Sequence, residues 1–164
     1  MLSGDNTVRA YSDGSALGNP GPGGYGVLLV WNGQDKELSA GYRMTTNNRM
    51  ELLAAIVALE SLKRRCRVIL STDSQYVVNG IEKGWARKWR ANGWRRNEKE
   101  AALNPDLWGR LLDAVDRHDV RFEWVRGHSG HVENERCDVL ANTAARENPT
   151  LIDKEFEASQ AARN

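Results

Sequence analysis

The sequence predicts a single α/β domain built on a mixed sheet, and three observations point there. TVRAYSD alternates, and GGYGVLLVWNGQDKELSAGYRM carries Asn32-Gly33 between two strand-like runs, the mark of a tight hairpin. NNRMELLAAIVALESLKR has helical apolar spacing, with Met50, Leu53 and Val57 on one face and Leu52, Ile56 and Leu59 widening it. CRVILSTD is then continuously apolar, as a strand buried on both faces is. A strand reached through a crossover helix pairs parallel with its neighbour, so an antiparallel meander and a parallel strand share one sheet.

The remaining elements follow in order. Residues 1–6 are polar and expected to be loose. After the fourth strand, SQYVVNGIEKG reads as a short helix, and WARKWRANGWRRNEK as a helix-like segment interrupted by Gly93. Asn104-Pro105 opens another helix, a capping residue followed by proline at the first helical position, with Leu107, Leu111 and Val115 along its face. VRFEWVR alternates Val120, Phe122 and Trp124 against Arg121 and Glu123, a fifth strand. GHSGH is a loop, and ENERCDVLANTAARE a helix with the stripe Cys137, Leu140, Ala141 and Ala144. The order is βββ-α-β-α(α)-α-β-α. Residues 1–150 form the domain; residues 151–164 are polar, weakly patterned and expected to be a loose tail.

A chain of 164 residues suits one domain and can bury a full core without disulfides. The two cysteines, Cys66 and Cys137, are far apart and form no CxxC, so both read as small buried hydrophobes. No apolar run approaches a membrane span, and MLSGDNTVRA lacks the layout of a signal peptide, so a cytoplasmic protein is expected. Net charge is only +1, yet residues 82–100 hold Lys83, Arg87, Lys88, Arg90, Arg95, Arg96 and Lys99 against Glu82, Glu98 and Glu100. Such a local basic excess suggests an anionic partner.

Four acids stand where chemistry is usually placed. Asp13 follows the first strand, Glu51 lies in the first turn of the long helix, Asp73 ends the buried strand, and Asp138 is near the start of the last helix. Ligands of open α/β sheets gather at such strand ends. Each acid also has a local reading. Asp13 before Gly14 suits a turn, Glu51 three residues after Asn48 suits a capping box, Asp73 suits a helix cap, and Asp138 suits a favourable dipole end. Together they end adjacent elements of one sheet, where converging carboxylates repel unless cations join them. Oxygen-only ligands, with no Cys or His cluster nearby, point to Mg²⁺ or Mn²⁺ rather than zinc.

Asp13-Gly14-Ser15 running into GNPGPGGYG, then TTNNRMELLAAIVALE, STDSQYVVNGI and GHSGHVENERCDVLA, together resemble bacterial type 1 ribonuclease H over residues 8–150. The resemblance implies a ribonuclease H-like fold, a five-stranded mixed sheet in order 3-2-1-4-5 flanked by helices. It implies an endonuclease that hydrolyses the RNA strand of RNA–DNA hybrids with two divalent ions, leaving 5′-phosphate and 3′-hydroxyl ends. Asp13, Glu51, Asp73 and Asp138 then match the metal-binding catalytic acids, and His128 the family's mobile histidine; the ordinary histidine pKa suits proton transfer. His131 matches no catalytic position, and Glu135, one turn before Asp138, is a possible tuning group.

By the same resemblance Asn19, Asn47, Asn48 and Gln75 bind the minor groove, where amides can both donate to and accept from a 2′-hydroxyl. Thr46 matches a residue that helps hold a DNA phosphate. Some relatives carry arginine where this chain has Met44, and here Arg43 is its neighbour. Trp85, Arg87, Lys88 and Arg90 belong to a segment resembling the family's basic protrusion; Trp85 and Trp89 tucked inside is the plainer reading. Two rivals stay open: another nuclease of the same superfamily, and a non-catalytic hybrid-binding module. A monomer without an obligate protein partner is expected, since no long apolar stripe is left over.

Overall fold

The computed structural model describes residues 6–127 and 130–163. β1 (Thr7–Ala16), β2 (Gly21–Trp31) and β3 (Gln34–Thr45) form the antiparallel meander. Asn32 and Gly33 turn the hairpin with φ of 53° and 78°, the left-handed pair a two-residue loop needs. α1 (Asn47–Glu60) crosses over, and β4 (Arg67–Thr72) returns parallel to β1, Arg67 opposite Thr7 and Ser71 opposite Tyr11. α2 (Gln75–Glu82), α3 (Trp85–Ala91) and α4 (Pro105–Asp116) precede β5 (Asp119–Trp124), which runs parallel to β4. α5 (Val132–Glu147) follows, then β6 (Pro149–Leu151) and α6 (Lys154–Arg163).

The strand order is β5-β4-β1-β2-β3-β6, so the expected five-strand order is present and extended by one short edge strand. α1 packs on one face of the sheet with α4 against its far side, and α5 lies across β1, β2 and β3 on the other face. α1 is therefore sandwiched and buried nearly all round, from Met50 to Leu59, rather than along one stripe. α5 sits close because Gly24, Gly26 and Gly41 face it: a Cβ at Gly26 would come within 2.3 Å of the Cys137 carbonyl. The main core joins Val8, Ala10, Val27, Leu70, Ile56, Leu111 and Trp108 between sheet and helices.

The tail expectation is corrected. Residues 149–151 pair with β3, and α6 follows, anchored by the buried side chains of Asp153 and Phe156. Asp153 accepts from Arg49 Nε at 2.7 Å and from the Thr45 hydroxyl at 2.7 Å, so charge pairing rather than an apolar stripe fixes this segment. Trp124 also departs from expectation: it is exposed at the end of β5 and adds nothing to the core. Cys137 is buried, and desolvation pushes its thiol up to about 12; Cys66 is only half-buried. Among the described residues no helix is long and apolar enough to cross a membrane.

Candidate active site

The acidic residues meet at one end of the central strands. Asp13 projects from β1, Glu51 from the first turns of α1, and Asp73 from the residue after β4. Each offers one carboxylate oxygen, and these oxygens lie within 4.8 Å of one another. Asp13 and Glu51 are buried, 6% and 7% exposed, while Asp73 is half-buried. Asp138, near the start of α5, is half-buried and shares a small hollow with Asp73, Asn134 and Glu135.

Local structure removes the alternative readings of Asp13, Glu51 and Asp73. The N-cap of α1 is Thr46, whose hydroxyl accepts from Arg49 N at 3.2 Å, so Glu51 closes no capping box. Glu51 Oε1 instead accepts from the Gly14 amide at 2.6 Å, across the gap between α1 and β1. Gly14 is required there, since a Cβ would lie 2.2 Å from the Met50 carbonyl carbon. The N-cap of α2 is Ser74, not Asp73. Asp13 is an in-strand residue rather than a turn residue.

Electrostatics make this cluster costly as it stands. Burial first, then the charges of Glu51 and Asp73, push Asp13 up to about 10. Burial and the charge of Asp73 push Glu51 up to about 8, although the Gly14 amide pulls the other way. Among the described residues no cationic side chain is ion-paired with Asp13, Glu51 or Asp73. Beside them the buried Oδ1 of Asn134 has no hydrogen-bond partner among the described residues. Hard oxygen donors, excess negative charge and an unpartnered acceptor fit one or more divalent cations of the Mg²⁺ type.

Supporting groups that sequence reading missed hold the acids in place. The Trp124 indole donates to the Asp73 carbonyl at 3.1 Å. Asn142 donates to Asp138 Oδ1 at 3.0 Å and accepts from the Ser15 hydroxyl at 2.9 Å, linking α5 to β1. An i, i+4 amide behind an acid is the only trace of this in sequence, and it is weak.

The expected substrate residues fall into two groups. Asn19, Thr46, Asn47 and Asn48 gather at the N-terminus of α1, where the Asn47 amide donates to Asn19 Oδ1 at 3.0 Å. Gln75 is exposed at the start of α2, two residues beyond Asp73. A cleft beside Asn19, Thr46 and Asn48 is also lined by Asn104 and by α6. Arg43 points no free charge into it, because it forms a two-pronged ion pair with Glu157 at 2.9 and 2.8 Å.

The basic segment stands apart on α3. Trp89 packs edge-on against Trp108 with centroids 5.9 Å apart, but Trp85 is exposed, with Lys83 5.4 Å over its ring, so only one of the two is tucked inside. Arg87 and Arg90 pair with Asp116 and Asp113 of α4, and Lys88 is exposed without a hydrogen bond or ion pair among the described residues. Exposed ion pairs are worth about 0–1 kcal/mol, so both arginines can be exchanged onto phosphates. His128 lies outside the described residues.

Residues 5–146 match the RNase H family. The chain is 67% identical over 140 residues to a ribonuclease H of Desulforamulus reducens, covering 85% of this chain and 88% of that one. It is 55% identical over 157 residues to the ribonuclease HI of Synechocystis, covering 95% and 98%. Its fold is similar to that of LC9-RNase H1, described as a type 1 RNase H with the type 2 active-site motif, with a TM-score of 0.77, 36% identity and coverage of 99% and 86%.

Proposed function

Since this chain belongs to the RNase H family, as a ribonuclease H of the bacterial type 1 kind, we propose that its four acids form a two-ion centre that cuts the RNA strand of a hybrid. One observation carries the reading: three carboxylate oxygens within 4.8 Å, two of the acids buried, and, among the described residues, no cationic side chain paired with them. Asp13, Glu51 and Asp73 would hold Mg²⁺ directly, with Asp138 completing the set and Mn²⁺ an alternative. When bound, such ions neutralise the scissile phosphate and favour attack by water in line with the leaving 3′-oxygen.

The chain's own residues do the remaining work. Gly14 N–H aims Glu51, and Trp124 fixes the backbone of Asp73, so the ligand oxygens are set before substrate arrives. Asn19, Asn47, Asn48 and Gln75 would read the minor groove, and Thr46 would hold a phosphate of the DNA strand. Trp85, Arg87, Lys88 and Arg90 would meet phosphates farther along. His128 would carry a proton at the cut. The products are a 5′-phosphate and a 3′-hydroxyl.

The test is cleavage of a labelled hybrid with Mg²⁺, with Mn²⁺ and with chelator, beside matched DNA and RNA duplexes. The hybrid should be cut only with metal. Replacing one ribonucleotide by its deoxy form should slow cutting near it by about ten- to hundredfold, since one amide or acid loses its partner. Duplex DNA cut as fast as the hybrid would favour a broader superfamily nuclease and overturn the amide reading.

A further inference from the structure

The cleft beside the N-terminus of α1 has a volume of about 530 Å³, and α6 forms one of its walls. Thr46, Asn48 and Asn19 line one side, and Glu155, Ser159 and Gln160 of α6 line the other. α6 is held firmly: Asp153 binds Arg49 and Thr45, Phe156 is buried, and Glu157 takes Arg43. Its cleft-facing residues are therefore as well positioned as those of α1.

Apart from the carboxylates of Asp106 and Glu155, the cleft offers neutral donors. All five N–H groups of Arg49 are engaged, by Asp153, Asp106 and Asn104. Arg43 is paired with Glu157, and position 44 is an exposed methionine. The Ser159 hydroxyl already donates to the Phe156 carbonyl at 2.8 Å. Gln160 is half-buried, and its amide has no hydrogen bond among the described residues, so it is the donor α6 has to give. Glu155, exposed on the same wall, opposes any anion.

We propose that α6 is part of the hybrid-binding surface, with Gln160 a positioning residue for a backbone phosphate of the DNA strand lying between it and Thr46. The proposal rests on the hybrid reading of this cleft. It carries a sign. A negative charge introduced at 160 should weaken binding, and a negative charge removed at 155 should strengthen it; a merely structural role would not give opposite signs.

The experiment measures KM and kcat of the full chain on one hybrid in Mg²⁺, with thermal midpoints, for Gln160→Glu, Glu155→Gln and Thr46→Ala. Gln160→Glu should raise KM about fivefold, the interaction of unit charges roughly 4 Å apart in water. Glu155→Gln should lower KM about twofold, and both changes should fall on KM rather than kcat, with the midpoints within about 2 °C. If Thr46→Ala raises KM while both α6 variants match the parent, or move KM in the same direction, α6 is not in the surface and the cleft reading stands. If Thr46→Ala also leaves KM unchanged while the hybrid is cut, the strand does not cross this cleft, and both fall.

Discussion

Two clusters of charge hang from the same helix, two residues apart, and they are built on opposite principles. Arg49 on α1 is buried, and its guanidinium is met by Asp153 at 2.7 Å, Asp106 at 2.7 Å and Asn104 at 3.2 Å. Burial draws its pKa down, but the two carboxylates more than offset this and hold it above the ordinary arginine value; Asp106 in turn is held below the usual carboxylate range despite its own burial. Glu51, on another side of the helix, is just as buried, but its nearest charged neighbours are Asp13 and Asp73. The first cluster is complete within the chain and fastens α1, α4 and α6 together. The second has no such partner among the described residues. A buried charge with its partners in the fold is architecture; one with only like charges around it marks a site.

The sharpest way to break this contrast is to neutralise one member of each cluster. Asp13→Asn should lower hybrid cleavage by about a thousandfold in Mg²⁺, the scale of removing a group aimed at the reacting charge. The same change relieves repulsion, so the metal-free variant should melt no lower than the parent. Near-normal cleavage by the pure variant would remove Asp13 from the site. Arg49→Met should do the reverse. It leaves Asp153 buried without its partner, a loss of about 3–5 kcal/mol, or a midpoint lower by roughly 10 °C. Its cleavage per folded molecule should fall less than tenfold. An unchanged melting curve would show that the ion cluster does not fasten α6.

A pH series on metal-free protein sharpens the comparison. Asp13 and Glu51 have raised folded values, about 10 and about 8, so the folded state binds more protons than the unfolded one above roughly pH 4. Stability therefore falls as pH rises from about 4 toward 8 and beyond. Asp106 has a lowered value, so its contribution is present above about pH 4 and is lost only as pH drops below that. Urea midpoints of the parent should decline between pH 5 and 9, and the decline should flatten in Asp13→Asn or with saturating Mg²⁺. A parent curve flat across that range would mean that the carboxylates do not repel. The smallest effect is expected from Trp124→Phe, which removes one hydrogen bond to Asp73. It should cost about 1 kcal/mol and slow cleavage by a few-fold; a rate equal to the parent would show that the indole does not help to hold the site.

Much of the site could be read from one dimension because its residues are tied to local signals. Asp13 lies within a recognisable strand, Asp73 follows another, and Glu51 lies in the first turns of a recognisable helix. Even so, each also fits a local role as a cap or turn, and only the positions of Thr46 and Ser74 at the caps exclude that role for Glu51 and Asp73. The role expected of the amides at 47 and 48 rests on motif resemblance. Asn104, Asn134, Asn142 and Trp124 carried no such signal, because a single polar or aromatic residue has many ordinary uses. The basic segment was visible as charge, but its pairing with Asp113 and Asp116 was not, since those acids lie on a different helix.

By itself the sequence determined the order of elements up to α5, the parallel return of β4 and the hairpin at Asn32-Gly33. Those features rest on periodicity, turn chemistry and composition, which act between near neighbours along the chain. Only the tertiary structure decided that Asp13, Glu51 and Asp73 meet within 4.8 Å while Arg49, Asp106 and Asp153 neutralise one another. It also decided that residues 154–163 are a docked helix rather than a loose tail. The physical reason is the same in each case. Hydrophobic patterning reports which face of an element leaves water, whereas the cost or gain of a buried charge depends on its spatial neighbours, here as many as 104 residues away in the Arg49–Asp153 pair.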